Sequence, residues 1–101
     1  MIVYNLTMKV DADIHPEWVE WQKEIHIPET MATGLFTDYK FFRLLEQDES
    51  RGPTYVLQFF TGDIDLYQKF VDEYSTGLRK KAFIKWGNRF ITFRTIMEQV
   101  S

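Results

Sequence analysis

The sequence predicts an α+β fold in which strands and helices follow one another in the order β-α-β-β-α-β. Three observations predict this class. Four segments show the two-residue alternation that is typical of strands, and two longer segments repeat with the helical period. The 101 residues contain no internal repeat or Gly/Ser-rich linker, so residues 1–101 are expected to form one domain. This order is that of a ferredoxin-like fold, a four-stranded antiparallel sheet with two helices on one face.

The four predicted strands differ in how their two faces are divided. They are residues 2–10, 35–46, 54–61 and 89–100. Only the first strand has one wholly apolar face, which includes Ile2, Leu6 and Met8. Its other face carries both apolar and polar residues. The other three strands are apolar on both faces. A polar turn at residues 47–53 joins the second and third strands and predicts a hairpin.

The first helix is predicted to begin at Pro16 and to end at Gly34, because proline suits the first helical turn and glycine the C-terminal stop. Pro28 has no backbone N–H and is predicted to interrupt or kink this helix. Winding the chain at 100° per residue places four apolar residues on the buried stripe: Trp18, Trp21, Ile25 and Ala32.

The second helix is predicted to begin at Asp63, a good N-cap residue, and to end at Gly87. Seven residues form its apolar stripe: Ile64, Leu66, Tyr67, Phe70, Val71, Tyr74 and Leu78. Phe83 and Trp86 fall off that stripe. A bend or a second short helix is therefore expected over residues 78–86.

The strands carry more apolar surface than two helices can cover. Aromatic residues make up 17% of the chain: nine Phe, five Tyr and three Trp. Helices cover one face of this sheet, whereas the strands are apolar on both, so the open face needs a second cover. We expect a second copy of the same sheet, packed face to face in a homodimer.

Composition excludes several classes of protein. Twelve basic and fifteen acidic residues give a net charge of −3, so bulk attraction to nucleic acid or to anionic lipid is not expected. The chain has no cysteine, so disulfides, thiolate metal sites and thiol nucleophiles are excluded. It contains no signal peptide and no apolar run of the ~20 residues that a membrane helix needs. The sequence predicts a cytoplasmic protein with no membrane partner.

Six short motifs carry a resemblance to known families. They are Trp18, His26-Ile27-Pro28-Glu29, Thr33-Gly34-Leu35-Phe36, Gly52-Pro53-Thr54-Tyr55, Lys85-Trp86-Gly87 and Phe93-Arg94-Thr95. On the first three, the chain resembles the dimeric α+β barrel superfamily. On all six, it resembles a bacterial family of about the same length that is designated only as a domain of unknown function (DUF), and this likeness covers essentially the whole chain.

The resemblance implies two ferredoxin-like subunits with their open sheet faces together, and a ligand cavity between the helices and the inner sheet face. Relatives in the superfamily include small monooxygenases, haem-degrading enzymes, chlorite dismutase and ligand-binding domains. The family itself implies no catalytic residue, and fold likeness does not choose among these functions.

His26 is the candidate catalytic residue. Beside the predicted kink at Pro28 it could line a cavity and serve as a general base or a haem ligand. The alternative, which the sequence favours, is structural: the imidazole would satisfy a carbonyl that Pro28 leaves unpaired. His15 precedes Pro16 and is expected to be exposed. The two histidines lie too far apart along one helix for a shared metal site, so no metal ligand is predicted.

A second set of candidates consists of polar residues assigned to the open face of the sheet. They are Asn5, Thr7, Gln58 and Arg94, with Arg43 able to join them in one strand register. Buried polar groups need partners, and an arginine among amides suits a carboxylate or another anion. The alternative is a dimer-interface network in which Arg94 pairs with Asp38 or Glu98 of the other subunit.

A run of basic residues extends from residue 74 to residue 97, which holds six basic side chains and no acidic one. This run could bind RNA, with Phe83 and Trp86 as stacking partners. A solvated basic surface is the favoured explanation, because the whole chain is acidic.

The sequence thus predicts a homodimer of unknown function with a candidate small-molecule cavity. No cofactor is predicted. The alternative is a small monooxygenase-like enzyme, cofactor-independent or haem-dependent, in which His26 is the base or ligand.

Overall fold

The computed structural model describes all residues, 1–101, and contains one four-stranded sheet. The strands are β1 (Ile2–Val10), β2 (Asp38–Arg43), β3 (Thr54–Thr61) and β4 (Phe90–Glu98). They are ordered β2-β3-β1-β4, and every neighbouring pair is antiparallel. The predicted ferredoxin-like α+β class is confirmed. Strand β2 is shorter than the predicted 35–46, because Leu35 and Phe36 precede it and are buried in the core.

Two helices cover one face of the sheet, and each contains a π-helical turn. Helix α1 covers residues 15–32 in three consecutive segments: His15–Trp21, the π-turn Gln22–His26, and Ile27–Ala32. Helix α2 covers residues 64–86 in the same way: Ile64–Phe70, the π-turn Val71–Ser75, and Thr76–Trp86. Neither helix combines the length and hydropathy that crossing a membrane requires.

The predicted interruption near Pro28 takes the form of a π-turn, after which a new α-helical segment begins at Ile27 and continues through the proline. The backbone N–H of Ile27 donates to the carbonyl oxygen of Gln22, five residues earlier, which is the hydrogen bond of a π-turn. A turn wider than the α-helix accommodates the proline ring, which would otherwise meet the carbonyl of the preceding turn.

The π-turn in α1 also changes which side chains are buried. One additional residue in the turn rotates the rest of the helix, so the predicted stripe holds only as far as Trp21. Ile25 is 45% exposed. Gln22, Ile27 and Thr30 are buried in place of Ile25 and Ala32.

The same effect corrects the prediction for α2. Tyr74 is exposed and Ser75 is buried, so the apolar stripe moves by one residue at the π-turn. Leu78, Ala82 and Trp86 then pack against the core. Residues 78–86 therefore need neither a bend nor a second helix. Asp63 caps α2 as predicted, accepting a hydrogen bond from the backbone N–H of Asp65.

The core lies between the two helices and the covered face of the sheet. Tyr4, Leu6 and Met8 of β1 alternate into it with Leu57 and Phe59 of β3. The loop before β3 passes so close to β1 that a Cβ atom at Gly52 would overlap the carbonyl oxygen of Val10. Gly52 also has a φ of 140°, which only glycine adopts readily.

Candidate functional site

A small cavity lies between the two helices and the covered face of the sheet, and its volume is about 40 Å³. This space holds roughly two or three water-sized molecules. Its apolar lining includes Tyr4, Met8, Phe59, Phe70 and Leu78. Seven side chains with polar groups also line it: Gln22, His26, Thr30, Ser75, Arg79, Thr92 and Arg94. The π-turns bring His26 and Ser75 to this cavity from the two helices.

His26 is held in one tautomer by a chain of hydrogen bonds. The Nε2 atom of Gln22 lies 3.7 Å from Met8 Sδ, which can only accept, and Gln22 Oε1 lies 2.7 Å from His26 Nδ1. Because an amide oxygen only accepts, Nδ1 carries the hydrogen and Nε2 carries the lone pair. No protein group hydrogen-bonds to Nε2, so it is the ring nitrogen free to accept from a ligand.

The surroundings keep the His26 imidazole neutral. Its ring is half-buried and stacks on Trp21 with centroids 5.2 Å apart and planes 7° apart. The pKa of His26 is lowered to about 4, mainly by burial; Glu29 opposes this shift and Arg94 adds to it. At neutral pH His26 therefore contributes an uncharged imidazole to the lining of the cavity, with Nε2 as its hydrogen-bond acceptor.

The structural role that the sequence favoured for His26 is not the one observed. Its imidazole bonds the side chain of Gln22 rather than a carbonyl left unpaired by Pro28. The hydroxyl of Thr30 donates instead to the His26 carbonyl oxygen, at 2.9 Å. His15 is also not a free exposed residue: it is half-buried, and its Nε2 is hydrogen-bonded to the Tyr55 hydroxyl.

Arg94 does not lie on the open face with the other predicted polar residues. It stands opposite Leu6 in the register of β1 and β4, which places it on the face covered by the helices. A strand shift of one residue would exchange the two faces, and the sequence of β4 is apolar on both, so it could not fix this position. Arg94 instead lines the cavity with His26 and with Arg79 of α2.

The remaining open-face candidates do come together. Asn5 stands directly opposite Gln58, whose Nε2 donates to Asn5 Oδ1 at 3.2 Å. The Nδ2 of Asn5 donates in turn to the hydroxyl of Thr7 at 3.4 Å. These three residues form a small polar cluster on the open face, on the opposite side of the sheet from His26.

Arg43 joins neither group. It stands opposite Tyr55 in the register of β2 and β3, and its Nη2 lies 2.6 Å from Glu49 Oε1. Its guanidinium also lies over the Tyr55 ring, 5.9 Å from the centroid. This ion pair raises the pKa of Arg43 and lowers that of Glu49. Arg43 therefore belongs to a separate cluster with His15 and Tyr55.

The other candidate groups are dispersed. No three metal-ligating side chains of the His, Asp and Glu type lie together. The basic run is divided as well: Arg89 pairs with Asp11 and Asp13, and Lys81 pairs with Glu29. Trp86 is half-buried against the core, while Phe83 is 67% exposed.

Four polar residues that line the cavity were not identified from the sequence pattern: Gln22, Thr30, Ser75 and Arg79. Thr30 is a polar residue that an unbroken α-helix would place away from the core. Gln22 and Ser75 follow Trp18 and Val71 by four residues, so they lie at the edge of the apolar stripes. Arg79 was assigned to a solvated basic surface. The signal that could have identified them is the mismatch of one residue between the two halves of each helical stripe.

The fold has a solved structural relative. It is similar to a crystal structure at 1.40 Å resolution of an ethyl tert-butyl ether degradation (EthD) family protein from Bacillus halodurans C-125, with a TM-score of 0.68. The match covers 99% of this chain and 100% of that one at 18% identity, and it confirms the predicted subunit fold of the dimeric α+β barrel type. No curated protein sequence matches the chain. The model of the family designated domain of unknown function DUF4286 matches residues 1–100, and the chain belongs to that family.

Proposed function

We propose that this protein is a homodimer that pairs through its open sheet faces and binds a small molecule in the cavity beside His26. The observation that carries the binding function is the state of His26: one ring nitrogen is anchored by Gln22, and the other is unpaired beside a cavity. The proposal keeps the cytoplasmic, bacterial setting that the sequence predicts.

The apolar character of the open face supports the pairing. Phe42, Ile91 and Phe93 project from this face and are 46%, 56% and 56% exposed. Val3, Val56 and Phe60 are half-buried around the Asn5–Gln58 cluster. A second copy related by a two-fold axis would cover the apolar side chains and bring the two polar clusters together.

Replacing Phe93 with glutamate is expected to convert the dimer into monomers. A two-fold interface would bury this residue twice, so the substitution would place two unpaired carboxylates in an apolar contact. The measurement is the molar mass by light scattering at micromolar concentration. Phe83→Glu is the matched control, because Phe83 is an equally large exposed residue on the outer side of α2. A monomeric wild type, or a dimeric Phe93→Glu variant, contradicts the pairing.

Binding of a small molecule in the cavity can be detected by NMR through the imidazole of His26. A library of small fragments is expected to contain members that shift the imidazole signals of His26 in NMR spectra. Ala82→Phe is the control, because Ala82 lines the cavity and is half-buried, and a larger side chain there would fill the space. Fragments that shift His26 equally in the filled variant, or a library with no effect on His26, contradict a binding function for the cavity.

The free Nε2 atom also favours a second candidate, a small monooxygenase-like enzyme. A neutral imidazole with a fixed tautomer can accept a proton from a substrate in the cavity, as a general base. A haem does not fit this role, because a cavity for two or three water-sized molecules cannot enclose it. Oxygen uptake with a bound fragment, lost in His26→Gln while binding persists, would support the enzyme; binding without uptake favours the binding function.

A further inference from the structure

Two arginines at the cavity have no acidic partner. Arg79 comes from α2 and Arg94 from β4, and both line the cavity beside His26. Neither guanidinium forms an ion pair, whereas Arg43 and Arg89 do. Both arginine residues also remain exposed to solvent, so an anion can reach them from outside.

The cavity has no negative charge of its own to balance them. No aspartate or glutamate lines it. Glu29, which influences His26 from the same helix, is held by Lys81 at 3.3 Å. This is a local excess of positive charge in a chain whose net charge is −3. A pair of unneutralised cations beside a cavity attracts an anion to that place.

Arg79 and Arg94 both act on the pKa of one neighbouring group, the hydroxyl of Tyr67. Burial raises the pKa of the Tyr67 hydroxyl and Tyr4 adds to that rise, while Arg79 and Arg94 both lower it. Arg79 and Arg94 thus favour negative charge at the same neighbouring hydroxyl, one from a helix and the other from a strand.

We infer that the natural ligand is a small carboxylic acid, with its carboxylate between Arg79 and Arg94 and its short apolar tail in the cavity against Met8 and Phe59. This inference rests on the proposed binding function and names its ligand class. Guanidinium groups bind carboxylates through paired, charge-assisted hydrogen bonds. The small volume and the apolar floor limit the tail to a few carbon atoms.

The experiment compares acids with amides of the same shape. Propionate and butyrate are titrated into the wild-type protein, and propionamide and butyramide are titrated in parallel, with the His26 imidazole signals as the readout. The acids are expected to bind about tenfold or more tightly than the amides, because only they make the charge-assisted bonds. A bound anion also stabilises the protonated imidazole, so the acids should raise the pKa of His26.

Two variants and one control locate the binding. Arg79→Gln and Arg94→Gln are each expected to weaken propionate binding about tenfold, because each removes one partner of the carboxylate. Arg51→Gln removes the same charge from the loop between β2 and β3 and is expected to leave binding unchanged. Both cavity arginines are exposed, so the fold should tolerate their replacement.

Each other outcome has a distinct meaning. Amides that bind as well as acids, or acids that bind equally well to Arg79→Gln and Arg94→Gln, overturn the carboxylate inference and leave a binding cavity. If neither the acids nor the amides shift the His26 imidazole signals but a neutral fragment does, the carboxylate inference fails and the proposed binding function stands. If no fragment, acid or amide shifts the His26 imidazole signals, both the carboxylate inference and the proposed binding function fail.

Discussion

Replacing Phe59 with alanine is expected to lower the free energy of unfolding by about 3–5 kcal/mol, the usual range for a fully buried phenylalanine. Phe59 has no exposed surface and lies on the covered face of β3. Its ring centroid lies 5.3 Å from that of Phe36 and 6.4 Å from that of Tyr4. Alanine would remove these aromatic contacts and leave a cavity that the two neighbouring rings cannot fill by small shifts.

The matched control for this substitution is Phe83→Ala. Phe83 is 67% exposed on the outer side of α2, so its loss is expected to change the free energy of unfolding by no more than about 0.5 kcal/mol. Urea denaturation of both variants, monitored by circular dichroism at one protein concentration, gives the two values. Comparable losses in both variants would show that the core does not lie between the helices and β3.

Acid is expected to destabilise the fold through His26. The pKa of this residue is about 4 in the folded chain and about 6.5 in the unfolded chain, so only the unfolded chain binds a proton between these values. The free energy of unfolding therefore falls as the pH is lowered from 6.5 to 4 and levels off below 4. The full loss is about 3 kcal/mol, from 1.36 kcal/mol for each pH unit between the two pKa values.

The control for the acid effect is His26→Gln, which cannot titrate and can still donate to Gln22. Its stability should change less than that of the wild type between pH 7 and pH 4. His15 is a smaller source of the same effect, since burial and Arg43 lower its pKa, so both proteins carry the His15→Gln background. The lowered pKa values of Asp13, Asp48 and Glu49 add a loss of stability that begins at about pH 5, and it cancels in the comparison because both proteins keep these three carboxylates. Equal acid sensitivity in both proteins would show that His26 is not buried.

The element order and the fold class could be predicted because they depend on local signals. The clean alternation of β1, the cap at Asp63 and the stop at Gly87 each reflect a few neighbouring residues, and all three match the structure. The shared location of Asn5 and Gln58 was also predictable, because strands β1 and β3 keep one register over their whole length.

The cavity could not be predicted because it depends on non-local geometry. Whether Arg94 faces the helices is decided by the register of β4 against β1, and both faces of β4 look alike in sequence. Pro28 indicated an interruption of the helix, but α-helical propensity does not show that the chain accommodates the proline with a π-turn. His26 was identified, but its partner Gln22 was not, because a polar residue at the edge of a helical stripe gives no sign of which side chain it will bond.

The two π-turns also determine how this chain should be aligned with distant relatives. Each adds a residue that an uninterrupted helix of the same rise would lack. Against a relative whose helix lacks the π-turn, an alignment without a gap at residues 22–26 would shift the later positions of the helix by one residue. The same error at residues 71–75 would misplace Ser75. Equivalent pocket residues will therefore be found by superposing backbones, with a one-residue insertion allowed in each helix.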